Sequence, residues 1–111
     1  MRIRKEKEIT SDIEGVDYEL IARVSDALAH PVRLMLFRYI MQKNRKMQNV
    51  CTKDLSEQFD YAQATISQHM KRLVKSGLVE TKKVDKFTYF FANLGVLTRY
   101  LNAAKKFAVV K

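Results

Sequence analysis

Val16, Leu20, Ile21, Val24, Ala27 and Leu28 recur at the spacing of one helix face and predict a first helix from about residue 16. His30-Pro31 interrupts the pattern, because proline disfavours a helical residue before it and brings no amide hydrogen. Pro31 suits the first position of the next helix instead. There Val32, Leu34, Met35, Leu36, Tyr39 and Ile40 make a mostly apolar segment, expected at the centre of the core. Residues 42–50 are polar and basic and read as a loop. A third helix begins at Cys51 or Thr52, with Asp54 complementing the dipole of its first turn and Leu55 and Phe59, four apart, as its dry edge. Asp60-Tyr61 leaves room only for a tight turn before a fourth helix over about 62–75. Two short helices joined in this way form a helix-turn-helix pattern.

Gly77 stops the fourth helix. Residues 78–83 and 87–92 then read as strands around the turn Val84-Asp85-Lys86, where Asp85 tolerates a left-handed backbone. Val79, Phe87, Tyr89 and Phe91 are expected to hold one face of this hairpin on the domain. Asn93 is a cap for a last helix. Leu94, Leu97, Leu101, Ala104 and Ala108 form one apolar stripe on it, and Val96, Tyr100, Ala103 and Phe107 another. Together they are wider than one core contact needs, so part of this helix is expected to pack on a second subunit. The expected fold is mainly α with a small β-hairpin: about five helices and a two-stranded wing in one domain over 16–111, preceded by a polar arm over 1–15.

Composition narrows the function. A chain of 111 residues with 47% apolar and 30% charged side chains suits one ordinary globular domain. No apolar run approaches the roughly 20 residues of a membrane span, and the charged N-terminus lacks the apolar core of an export signal. A single cysteine, Cys51, forms no internal disulfide and fits a reducing cytoplasm. The net charge of +9 is unevenly placed: residues 1–20 carry −2 and residues 21–111 carry +11. That body calls for a polyanionic partner. Nucleic acid fits better than a membrane surface, because no basic amphipathic helix with exposed apolar anchors is visible.

The fourth helix has the chemistry for such a partner. With Ile66 at the centre of a buried face and steps of roughly 100° per residue, Ala62, Met70 and Leu73 fall beside it. Ala64, Gln68, Lys71 and Lys75 fall opposite, flanked by Thr65, Ser67 and Arg72. Gln63 stands at the helix start, where a helix inserted in a groove makes most of its base contacts. The Gln68 amide suits adenine, and the hydroxyls of Thr65 and Ser67 suit bases or phosphates. Lys71, Arg72 and Lys75 lie where phosphates come within reach. Lys82, Lys83 and Lys86 surround the hairpin tip and are candidates to straddle a DNA backbone. An ordinary solvated helix face, and edge lysines that only discourage strand aggregation, are the plainer readings of both sets. His69, between the two faces, reads as a half-buried histidine hydrogen-bonded to backbone, and His30 as a helix-end residue.

Ala27-Leu28-Ala29-His30-Pro31-Val32-Arg33-Leu34, Asp54-Leu55-Ser56, Thr65-Ile66-Ser67-Gln68-His69-Met70-Lys71-Arg72-Leu73 and Ser76-Gly77-Leu78-Val79 resemble, in order and separation, the ArsR family of bacterial repressors. The resemblance spans about residues 16–101. It implies a winged helix-turn-helix that dimerises through its first and last helices, binds palindromic operator DNA and, in many members, releases it when metal binds. On this chain the implied dimer contacts are Leu20, Val24, Leu97, Tyr100, Leu101, Ala104 and Ala108.

The chain departs from the family at its metal sites. Cys51, Thr52 and Lys53 stand where one family site has Cys-Val-Cys, and a lone thiolate beside an ammonium group does not make a soft-metal site. The other site uses Asp and His on the last helix, whereas residues 94–111 contain no Asp, Glu, His or Cys. No metal or other cofactor is expected, and the effector is unspecified. Cys51 is either a packed thiol or a redox switch favoured by Lys53 and a helix start. Ala62 replaces the family's capping Ser or Thr, and Asp85 a common wing glycine.

The function implied is a cytoplasmic, dimeric, sequence-specific DNA-binding regulator and repressor. The competing class is a winged-helix protein-interaction module without DNA binding, against which the +11 body argues. Catalysis has little to stand on: there is no Ser/His/Asp set, and the three glycines are too scattered to cradle a phosphate.

Overall fold

The computed structural model describes residues 13–110. Most of the polar arm expected over 1–15 lies outside the described residues. Its last part is already in the body: Ile13 is buried, and Glu14 caps α1 (Gly15–Leu28) while its amide donates to the Asp17 carboxylate at 3.4 Å. The elements that follow are α2 (Pro31–Arg45), α3 (Thr52–Phe59), α4 (Gln63–Ser76), β1 (Val79–Val84), β2 (Phe87–Ala92) and α5 (Leu94–Ala108). The five helices and one hairpin are those the sequence predicts.

Helix α2 starts where His30 and Pro31 dictate. The His30 Nδ1 accepts the amide hydrogen of Val32 at 3.1 Å, and Pro31 takes the first position. Its buried face is Val32, Arg33, Leu36, Phe37 and Ile40. Leu34 and Met35, expected in the core, are about half exposed instead. At roughly 100° per residue both fall well off the Val32–Leu36–Ile40 line, and Phe37 occupies the place they were assigned.

The core draws its fully buried side chains from five elements and two connections: Val24 of α1, Leu36 and Ile40 of α2, Leu55 of α3, Ile66, Met70 and Leu73 of α4, Val79 of β1, Val50 before α3 and Leu78 before β1. Helix α4 turns Ile66, Met70, Leu73 and Ser76 inward. Ala62, expected in this stripe, is an exposed N-cap with extended backbone, one residue before the helix can present a face.

Gly77 ends α4 at φ +91, in the left-handed region that favours glycine. A Cβ there would meet Val96 at an ordinary 3.7 Å, so backbone strain alone should set the cost of a side chain. Gly77→Ala is expected to destabilise the fold by about 1–2 kcal/mol in urea unfolding; a neutral result would mean that the turn is not held left-handed.

The hairpin pairs Val79 with Ala92, Thr81 with Phe90, Lys83 with Thr88 and Val84 with Phe87, around a two-residue turn in which Asp85 has φ 56. Because side chains alternate, this register turns Phe90 inward and leaves Phe87 40% exposed. The expectation that Phe87, Tyr89 and Phe91 hold the hairpin is therefore corrected by one position, which in a strand exchanges the two faces. The far edge of β2 is occupied as well. The amide of Phe90 donates to Val50 O at 2.9 Å and that of Ala92 to Asn44 Oδ1 at 2.8 Å, which fixes the base of the wing on the α2–α3 connection.

Asn93 caps α5 by accepting the Val96 amide hydrogen at 3.1 Å. Val96 and Ala103 face inward, and the Tyr100 hydroxyl meets Ser25 Oγ of α1 at 3.0 Å. Of the two apolar stripes on α5, the one through Leu94, Leu101 and Ala108 stays exposed. No described helix is long and apolar enough to cross a membrane.

Candidate nucleic-acid interface

Three neighbours hold α4 in place. From α1, Arg23 Nε donates to the Ser76 carbonyl at 3.0 Å. From α3, the turn closes as the Tyr61 amide donates to Ser56 O at 3.2 Å and the Ser56 hydroxyl donates back to Tyr61 O, with Asp60 left-handed at φ 54. From α2, Arg33 reaches the flank of α4 beside His69. With its inner stripe in the core, α4 leaves Gln63, Ala64, Gln68, Lys71, Arg72 and Lys75 exposed, and Thr65 and Ser67 half-buried on opposite flanks. Its N-terminus carries no side-chain cap, as Ala62 implies.

The wing stands on the Ser67 flank. Ser67, Lys71 and Lys75 share with Thr81, Thr88 and Phe90 an open cleft of about 370 Å³, floored by Met70 and Val74. The register divides the wing lysines. Lys83 shares its face with Thr88, toward the cleft, whereas Lys82 pairs with Tyr89 on the opposite face. Lys86 at the tip lies 5.9 Å from the centre of the Phe87 ring. All three are exposed, and with the α4 lysines they make a cationic rim around a helix whose middle offers amide and hydroxyl groups. A negatively charged duplex can meet such a rim at its backbone and the amides at its base edges.

Arg72 differs from its neighbours. Its guanidinium lies 3.3 Å from the Asp26 carboxylate of α1, both well exposed. Such a pair is weak and screened by salt, so it orients Arg72 without withholding it from an anion.

The chemistry that sequence reading missed lies on the other flank. Arg33 is buried to 9% exposure, with Nε donating to Ala27 O at 2.6 Å and Nη2 to Asp26 O at 3.3 Å, so it closes the carbonyl end of α1. Its Nη1 lies 3.5 Å from His69 Nδ1, and the His69 ring packs on His30 with centroids 4.7 Å apart. His69 was expected to bond to backbone; its partners are these side chains. Burial lowers its pKa from the ordinary 6.5, and the nearby His30 and Arg33 add to the effect. The available signal was a charged residue on the inner face of an apolar helix.

Cys51 is buried at the cap of α3. Its amide donates to Asp54 at 2.9 Å, and its backbone bridges Tyr89. That placement accounts for it as a packed thiol. Among the described residues, no three His, Cys, Asp or Glu side chains converge.

Of the residues expected at a subunit contact, Leu101 and Ala108 are exposed and Leu20, Leu97, Tyr100 and Ala104 half-buried. Val24 is the exception: it is fully buried in this chain's own core and has no surface left for a partner.

A helix-turn-helix whose second helix bears the exposed polar arc, followed directly by a two-stranded hairpin, defines a winged helix-turn-helix protein. Comparisons agree. Residues 28–82 match the family described as helix-turn-helix domain. An uncharacterised HTH-type transcriptional regulator of Methanocaldococcus jannaschii is 26% identical over 74 residues, 67% of this chain and 79% of that protein. The transcriptional repressor BigR of Xylella fastidiosa aligns with TM-score 0.62 and 25% identity, over 86% of this chain and 93% of its own. A homodimeric winged helix-turn-helix DNA-binding domain of Mycobacterium bovis, a possible ArsR-family regulator, aligns with TM-score 0.66 and 20% identity, over 88% and 87%. Solved ArsR-family regulators share this fold. Residues 28–82 match a helix-turn-helix family model, and the chain shares the winged helix-turn-helix fold of solved ArsR-family regulators.

Proposed function

We propose that this protein is a dimeric, sequence-specific DNA-binding transcriptional regulator, a cytoplasmic repressor acting on a palindromic operator. The observation that carries this reading is the free arc of α4, with amides and hydroxyls at its start and lysines at its end, set beside a lysine-bearing wing. Gln63, Thr65, Ser67 and Gln68 read base edges. Lys71, Arg72, Lys75, Lys82, Lys83 and Lys86 neutralise phosphates. The exposed Leu94–Leu101–Ala108 stripe of α5, with Leu20, Leu97, Tyr100 and Ala104 at its margin, meets its copy on a second subunit. The two α4 helices then enter successive major grooves about 34 Å apart. The repressor and homodimer named among the similar structures support both parts of this proposal.

Selection of genomic fragments on the purified protein is expected to return a two-fold symmetric site. A bidentate amide–adenine pair contributes about 1–3 kcal/mol of discrimination. Gln68→Ala should therefore weaken that site about tenfold or more while leaving random DNA unchanged. Equal losses on both would remove Gln68 from base reading.

A further inference from the structure

Both histidines of the chain meet on the α2–α4 contact, 39 positions apart in sequence. Each uses Nδ1 as an acceptor. In His30 it receives the Val32 amide hydrogen at 3.1 Å and so caps α2. In His69 it faces Arg33 Nη1 at 3.5 Å, and since a guanidinium only donates, the contact is favourable when this nitrogen is unprotonated. Arg33 cannot retreat, because its Nε and Nη2 are committed to the carbonyls of Ala27 and Asp26.

We propose that neutral His69 is a positioning residue for DNA reading. Through Arg33 and His30 it locks α4 at one angle on α1 and α2, and a proton on the His69 ring releases the lock. The inference rests on the DNA-binding reading above.

A proton on His69 Nδ1 replaces an accepted contact with two cations 3.5 Å apart. The other charged groups are arranged without relief: Arg72 follows on α4, and the Asp26 carboxylate of α1 is already engaged by Arg72 at 3.3 Å. The lowered pKa of His69 has the matching sign. Above the ordinary value of 6.5 neither folded nor unfolded chain is protonated at this ring, and stability does not depend on it. As pH falls below 6.5, the unfolded chain takes up a proton that the folded one resists, and stability is lost until the lowered folded value is passed.

Histidine is the side chain whose ordinary range lies between about pH 5 and 8, so the switch can be isolated. Net charge also makes the test directional. Acid adds positive charge, which by itself strengthens DNA binding, whereas release of α4 weakens it.

The test follows DNA affinity of the full chain from about pH 7.5 to 5.5 on a selected duplex, and in parallel the α4 amide resonances of the DNA-free protein. In the wild type we expect a severalfold loss of affinity toward acid and α4 amides that shift with the His69 ring. In His69→Gln, whose amide oxygen accepts from Arg33 without titrating, the affinity should hold across the range. His30→Asn keeps a good helix cap and should retain the response. A wild-type profile that is flat or rises toward acid overturns the proposal, as does a loss undiminished in His69→Gln or α4 amides indifferent to the ring. If no duplex binds at any pH, the DNA reading fails on its own, and the amide shifts alone decide whether His69 locks the helix.

Discussion

Truncating Leu73 to alanine is expected to lower the stability of this domain by about 2–5 kcal/mol, enough to remove much of the roughly 5–15 kcal/mol of a domain this size. Leu73 is fully buried on the inner stripe of α4, in one cluster with Val24, Leu36 and Leu78. The cavity has little means of closing. Arg23 holds the end of α4 to α1 through Ser76, and Arg33 holds the end of α1 to α2. Urea unfolding should show a lower midpoint with an unchanged slope. DNA binding should fall in step with the folded fraction and recover when the sample is cooled toward maximum stability. A loss below about 1 kcal/mol would mean that the site collapses freely, and that α4 is less tightly held than its tethers indicate.

The second large effect concerns charge. Replacing Lys71, Lys75, Lys82 and Lys83 together by glutamine keeps most of the side-chain length and removes most of the cationic rim, on both faces of the wing. Each lysine that neutralises a phosphate contributes about 0.9 to the slope of log affinity against log salt. The fourfold variant should therefore lose about 3–4 units of slope per subunit, with similar losses on specific and random duplexes. Titrations at several salt concentrations measure this directly. An unchanged slope would assign the rim to solubility and leave the protein-interaction reading in its place. Lys86 is kept in this variant because it lies against the Phe87 ring, where its removal would also alter wing packing.

Sequence and structure part company at identifiable positions. The turn before α4, the stop at Gly77 and the left-handed Asp85 follow from one or two residues with narrow backbone preferences, and each stands where the sequence places it. The wing face was misassigned because Phe87, Tyr89, Phe90 and Phe91 form an almost unbroken aromatic run. Such a run carries no alternation to choose a parity; only the pairing of Val79 with Ala92 chooses it. On α2, apolar side chains surround most of the helix, so the contrast that would have turned Leu34 and Met35 outward is missing. Asn44 looks like a loop-side polar residue, yet its side chain clasps β2 through Ala92 and Phe90.

What the sequence by itself determined is the set of elements and the two faces of α4. Helical spacing and the preferences of Pro31, Gly77 and Asn93 are local, and a local signal survives without the fold. The tertiary structure alone decided which apolar face of α2 and α5 is spent inside, that Val24 is core, and that Arg33, His30 and His69 form one cluster. Arg33 and His69 are 36 residues apart, and Asp26 and Arg72 are 46 apart. Contacts of that span depend on how helices cross, and nothing in the spacing along either helix records the crossing.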